Sequence, residues 1–96
     1  MAELVLISPG QRPLRSLVEA ALHNELRLLQ AGIRRTEQRL LAFEAQYGLS
    51  SAEFLQRYEN DVLPETLDFA EWVGEYRLLE RLREKADTLR DIHIAN

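Results

Sequence analysis

The chain has no cysteine, and among its 96 residues it has only three prolines and four glycines. The absence of cysteine excludes disulfides, thiolate nucleophiles and cysteine metal sites, and it fits a reducing cytosol. Long hydrophobic runs are missing as well. Residues 4–7, the longest such run near the amino terminus, are far short of the roughly 20 apolar residues of a membrane span and lack the charged flank of a signal peptide. We therefore expect a cytoplasmic protein with no membrane contact.

Motifs for catalysis or metal binding are also absent. The two histidines, His23 and His93, are separated by most of the chain, and no pattern supplies the three or four converging ligands of a metal site. Acidic residues between positions 59 and 71 lack the spacing and central glycine of an EF-hand, so helix capping and a solvated acidic surface explain them better. No nucleophile elbow or phosphate-binding glycine loop occurs. We expect no enzyme activity, no metal and no cofactor.

What the sequence does contain is a run of 34 residues, from 14 to 47, without proline. Its apolar side chains recur at steps of four and three, with one interruption at Thr36, and they are Leu22, Leu26, Leu29, Ile33, Leu40, Phe43 and Tyr47. This spacing predicts a helix of about 50 Å whose apolar face requires another helix. The helix should begin at Pro13 or Leu14 and end where Gly48 can take the left-handed conformation.

Two more helices are predicted after Gly48. Ser50 and Glu53 have the spacing of a capping box, which predicts a short helix that ends near position 60. Asp68 and Glu71 repeat this arrangement and predict a helix from Asp68 to about position 91, with aspartate as the cap. The apolar positions of the last helix again follow steps of three and four: Phe69, Trp72, Val73, Tyr76, Leu79, Leu82, Ala86 and Leu89. This helix can fold back antiparallel on the first one.

The two ends of the chain resemble short strands. Residues 4–7 are β-prone and are followed by a Ser-Pro-Gly turn, while residues 91–95 alternate between polar and apolar. Each segment is too short to be stable alone, so the two could pair with each other, across a dimer or with a foreign sheet. The predicted fold class is all-α: a single domain over residues 1–96, built as a long antiparallel helical hairpin with a short helix between its arms and strand-like termini.

The net charge of −4 is unevenly distributed, because residues 1–48 carry +1 and residues 49–96 carry −5. An acidic balance disfavours binding to a phosphate backbone and favours a basic protein partner. Arg27, Arg34, Arg35 and Arg39 form the densest basic cluster, which is better explained by ion pairs with Glu37 and with acidic residues of the facing helix than by a nucleic-acid surface. We do not expect this chain to bind nucleic acid on its own.

The junction between the helices resembles a known family in residues 47–59 and 68–72, Tyr-Gly-Leu-Ser-Ser-Ala-Glu-Phe-Leu-Gln-Arg-Tyr-Glu and Asp-Phe-Ala-Glu-Trp. Residues 22–29 and 92–94 share the likeness, so it covers most of the chain. The family comprises small helical antitoxins of bacterial and archaeal toxin–antitoxin modules, in particular those paired with small RNase-like toxins of the TumE type. The chain departs from it at Leu49, where methionine is usual, and at Pro64. The resemblance implies a cytosolic protein that binds and silences a toxin, and it implies no catalytic residues.

Together these features predict a non-enzymatic protein-binding module that acts as an antitoxin. A coiled-coil dimerisation or adaptor protein and a small transcriptional regulator remain the alternatives. We also predict a homodimer formed through the first helix, because its apolar face is longer than the last helix can cover. Trp72 fits either a core position or an interface anchor. The predicted protein-interaction residues are Leu22, Leu26, Leu29, Ile33, Trp72, Ile92 and Ile94.

Overall fold

The computed structural model describes residues 2–6 and 14–95, and there the chain is the predicted antiparallel helical hairpin. The elements in chain order are β1 (Ala2–Val5), α1 (Leu14–Tyr47), α2 (Ser51–Glu59), α3 (Leu67–Arg90) and β2 (Ile92–Ala95). The molecule measures 61 × 21 × 17 Å, with α1 and α3 as its two arms. None of the helices in the described part is both long enough and apolar enough to cross a membrane.

Both predicted ends of α1 agree with the structure. The helix begins at Leu14, directly after Pro13, and it ends at Tyr47. Gly48 follows with a φ of +63°, and its N–H donates to the carbonyl of Glu44 over 2.8 Å. A left-handed glycine closes the helix here because it has no Cβ to clash with the backbone.

The predicted cap of α2 is also confirmed. The hydroxyl of Ser50 accepts a hydrogen bond from the backbone N–H of Glu53 over 3.2 Å. The Glu53 carboxylate pairs with Arg57 at 3.0 Å, so its side chain stabilises the exposed surface of the helix rather than completing a reciprocal capping box.

The predicted start of α3 is wrong, because the cap is Thr66 and not Asp68. Thr66 has an extended backbone, and its hydroxyl accepts from the N–H of Phe69 over 3.1 Å. Asp68 lies in the first turn instead, where its carboxylate accepts from the hydroxyl of Tyr47 on α1. Threonine and aspartate both cap helices well, and here the Asp68 carboxylate is engaged by Tyr47 while the Thr66 hydroxyl caps the helix.

We expect each cap to contribute about 1 kcal/mol to the free energy of unfolding. Ser50→Ala and Thr66→Ala should each lower it by about that amount in urea denaturation. Thr88→Ala is the matched control, since Thr88 is exposed inside α3 and its hydroxyl donates only to the carbonyl of Glu84 within the same helix. The control should be neutral or slightly stabilising. Equal losses for Thr66→Ala and Thr88→Ala would contradict the cap assignment.

The two terminal strands pair with each other, which was one of the three predicted alternatives. β1 and β2 are parallel, with Ala2 opposite Ile92 and Val5 opposite Ala95. The first strand was predicted over residues 4–7, whereas it spans Ala2–Val5; Leu6 follows it, and residue 7 lies outside the described part. The bounds of β1 follow its pairing with β2 and do not follow the apolar run of residues 4–7. The strand pair lies at the end of the hairpin where α1 begins and α3 ends, which we call the open end.

An aromatic cluster holds the other end together. Trp72 is 0% exposed and stacks on Phe54, with ring centroids 3.8 Å apart and planes within 2°. Its indole N–H donates to the hydroxyl of Ser51 over 2.8 Å, and the backbone N–H of Ser51 donates to the carboxylate of Glu44 over 2.8 Å. All three helices are therefore joined at one point, and Trp72 is a core residue.

Thr36 explains how a polar residue can interrupt the apolar face of α1. It is buried in the helix–helix contact, and its hydroxyl donates to the carbonyl of Gly32 over 2.9 Å. Because the hydroxyl is satisfied within its own helix, it needs no partner from α3.

Candidate protein-interaction surfaces

The structure places the predicted interaction residues mostly inside the hairpin. Leu29 and Trp72 are buried, and Ile33 packs partly buried against the core. Leu22 and Leu26 are half-buried in a groove at the open end that Ile92 also lines. Ile94 is in β2, and its side chain lies outside the described part. Self-association through Leu29 and Ile33 would therefore require the two arms to separate.

The acidic character of the second half is concentrated in the turn region. Residues 48–71, which we call the closed end, carry six acidic side chains against Arg57 alone, a net charge of −5, while residues 72–96 are neutral. Five of these acidic residues are exposed, and they are Glu53, Glu59, Asp61, Glu65 and Glu71. The net charge of −5 predicted for the second half, residues 49–96, thus lies at one end of the molecule.

Asp68 is the one half-buried acid of the closed end, and it joins α3 to α1. Its carboxylate accepts from the Tyr47 hydroxyl, and Gln46 donates to it over 3.4 Å. The hydrogen bond between Tyr47 and Asp68 raises the pKa of Tyr47 above its ordinary value, and desolvation and the negative charge of Asp68 act in the same direction. Asp68 thus holds the arms together at the edge of the exposed acidic surface.

The prediction for the basic cluster of α1 holds in part: Arg39 pairs with an acid of the facing arm, whereas Glu37 pairs with an arginine of α3 and not with the cluster. Arg39 pairs with Glu75 of α3 at 2.9 Å, and Glu37 pairs with Arg83 of α3 at 2.9 Å. Arg34 is exposed beside the second of these pairs. These two ion pairs link the arms at the surface, where each contributes little to stability.

A groove of about 600 Å³ runs between the arms next to the start of α2. Leu40, Leu79 and Tyr76 contribute apolar surface to it, and Leu41 lies at its side with 62% of its surface exposed. Such a surface suits an apolar side chain of a protein partner better than a charged metabolite. It borders the closed end, so a single partner can contact both.

Metal binding finds no support in the described residues, which contain no group of three or more potential metal ligands. His23 is exposed near the open end of the hairpin.

Comparison of the chain with protein-family models, with curated proteins and with solved structures gives no significant match. The resemblance to TumE-type antitoxins therefore stays a prediction from the residues that suggest it.

Proposed function

We propose that this chain is a non-enzymatic protein-binding module, an antitoxin that binds and neutralises a small RNase-like toxin with a basic surface. The observation that carries the proposal is the concentration of charge at the closed end, a net −5 within residues 48–71. The resemblance of residues 47–59 and 68–72 to TumE-type antitoxins adds the class of partner.

The closed end is suited to electrostatic recognition because part of its charge is carried by a helix that is packed in place. Phe54 of α2 stacks on Trp72, and Ser50 caps the start of α2, so the backbone at Glu53 and Glu59 is in position before a partner arrives. Charges arranged in advance speed the encounter with a complementary surface and reduce the entropic cost of docking.

The chemistry of an RNase-like toxin explains how such a surface could inhibit it. An enzyme that cleaves RNA must attract a phosphate backbone, and it does so with lysines and arginines. A module with a dense carboxylate surface competes with RNA for the same cations. Leu41 and the adjoining groove can then add an apolar contact that RNA lacks.

The strand pair at the open end offers a second contact. Within the described residues β1 and β2 pair only with each other, so each has an outer edge, and a two-stranded sheet is marginal by itself. A strand from the partner could extend this sheet. Because the open and closed ends lie at opposite ends of a 61 Å molecule, a partner that reaches both must lie along the hairpin.

Toxin–antitoxin modules consist of two neighbouring genes, so the product of the gene next to this one is the expected toxin, and it serves as the binding partner that tests the acidic surface. Glu59→Gln, Glu65→Gln and Glu71→Gln together change the charge of the closed end from −5 to −2. We expect the association rate at low salt to fall about tenfold or more, and the difference from wild type to shrink as salt rises.

The matched control removes three exposed carboxylates elsewhere, with Glu25→Gln, Glu80→Gln and Glu84→Gln. It changes the total charge equally, and it should alter the association rate by less than about threefold. Equal effects of the two triple variants would show that net charge, and not the closed end, directs binding. Self-association without any binding of the neighbouring protein would favour the adaptor alternative, and tight binding to DNA alone would favour the regulator.

A further inference from the structure

The face of α1 that points away from α3 carries a second heptad pattern. Starting at Leu14, alternate steps of three and four lead to ten positions, seven of them leucine or alanine: Leu14, Leu17, Ala21, Asn24, Leu28, Ala31, Arg35, Gln38, Ala42 and Ala45. We call this set the outer heptad face. Nine of the ten are exposed, including Leu17 at 64% and Leu28 at 60%, and Leu14 is half-buried.

A surface of this kind is the pattern of a coiled-coil interface and not of a solvated helix face. Apolar residues at alternating steps of three and four keep a straight line of contact with a neighbouring helix over many turns. The outer heptad face extends for about 45 Å along α1. The described part of the hairpin leaves most of Leu17 and Leu28 exposed, so a helix that covered them would bury apolar surface, which is favourable in water.

We propose that a second copy of this chain covers the outer heptad face, so that two α1 helices pack antiparallel in a symmetric dimer. The dimer would be a four-helix arrangement, with the two α1 helices in the centre and an α3 helix on each outer side. A second copy is the partner of choice because its own outer heptad face has the same length and spacing, and a two-fold axis makes the surface complementary to itself.

Side-chain size supports this pairing. When the two outer heptad faces overlap over their full length, the sequence numbers of two residues that face each other add up to about 59. Large residues then lie opposite small ones: Leu14 against Ala45, Leu17 against Ala42, and Leu28 against Ala31 of the other copy. Alanine opposite leucine fills the space without overlap and lets the helix axes approach to about 8 Å. Two of the three polar positions also face each other in this register, since Asn24 meets Arg35, while Gln38 lies opposite Ala21.

Charge selects the antiparallel orientation. In a parallel dimer the two closed ends, each with a net charge of −5, would lie side by side, and Arg34 of one copy would approach Arg39 of the other. The antiparallel dimer places the closed ends far apart. In the antiparallel dimer, Arg27 of one copy approaches Arg34 of the other. Both are exposed at the flanks of the contact, where salt screens their repulsion.

The dimer does not rest on the proposed function, because the outer heptad face contains no residue of the closed end or of the strand pair. A chain that dimerises but binds no toxin would contradict the proposed function alone. A chain that binds a toxin as a monomer would contradict the dimer alone.

Sedimentation of the full chain tests the dimer. We expect the wild type to be dimeric at about 100 μM, and Leu17→Glu with Leu28→Glu to raise the dissociation constant about a hundredfold or more, since four leucines per dimer lose their contacts. Leu67→Glu is the matched control: Leu67 is 77% exposed but lies at the start of α3, off the outer heptad face. A monomeric wild type, or a double variant as dimeric as the control, would overturn the proposal.

Disulfide trapping tests the orientation, because the chain has no native cysteine. Leu17→Cys and Ala42→Cys are prepared as separate proteins, since the two positions are about 37 Å apart within one helix and cannot pair in one chain. We expect the mixture to form a disulfide-linked dimer under mild oxidation and neither protein to do so alone. Efficient cross-linking of Leu17→Cys with itself would show a parallel dimer and overturn the antiparallel arrangement.

Discussion

Replacing Trp72 with alanine should lower the free energy of unfolding by about 3–5 kcal/mol, the largest loss we expect from any single substitution. Trp72 is fully buried and stacks on Phe54 and Phe43, with ring centroids 3.8 and 5.5 Å away. Its removal would leave a cavity where three helices meet. It would also leave the hydroxyl of Ser51 without its indole donor. Urea denaturation followed by circular dichroism measures the loss.

Trp72→Phe separates packing from hydrogen bonding. Phenylalanine keeps an aromatic ring for Phe54 to stack on but lacks the indole N–H, so the loss should be about half that of the alanine variant or less. If Trp72→Ala costs under 1 kcal/mol, the closed end does not have the packed core described above. Equal losses for both variants would show that the bond to Ser51, and not ring packing, holds this end together.

Replacing the adjacent residues Leu40 and Leu41 with alanine should have very different effects on the free energy of unfolding. Leu40 is 6% exposed and belongs to the core cluster, so Leu40→Ala should cost about 2–5 kcal/mol. Leu41 is 62% exposed on the next position of the same helix, so Leu41→Ala should lie within about 0.5 kcal/mol of wild type.

The comparison is internally controlled because both changes delete the same atoms from consecutive positions in one turn of α1. Leu41→Ala should still weaken the toxin complex if the groove next to the closed end receives an apolar side chain of the partner. Similar stability losses for the two variants would indicate that α1 is rotated from its position in the structure.

The bounds of α1 and α2 could be predicted because local chemistry decides them. Pro13 precedes a regular apolar pattern, Gly48 accepts a positive φ at its end, and Ser50 caps the helix that follows. These signals act within a few residues, so they can be read without knowledge of the tertiary fold. The three-and-four spacing of the apolar residues likewise predicted that α1 and α3 pack on each other.

The start of α3 could not be predicted in the same way. Thr66 and Asp68 are both good caps, and the choice depends on Tyr47, which is distant in sequence and engages Asp68 from α1. The position of β1 is a similar case, because the register with β2 sets it. In both cases a contact distant in sequence outweighs the local preference.

The interaction residues on α1 were predicted from its length relative to α3 alone, without α2. Phe54 of α2 joins the core cluster that contains Leu40 of α1, and Phe69 of α3 contacts Tyr47, so the core face is better covered than the length of α3 suggests. The outer heptad face was missed because alanine and asparagine were not counted as part of a helical seam. The signal was present in the spacing, but only the structure shows which face α3 leaves exposed.

Growth of cells that express the neighbouring gene, with and without this chain, is the most direct test of the proposed function. We expect the neighbouring gene alone to arrest growth and co-expression of this chain to restore it. Restoration should weaken when the three closed-end carboxylates are replaced by glutamine, and it should persist in the control with the same total charge. Equal growth with and without this chain, whether both cultures grow or both arrest, would contradict the assignment as an antitoxin.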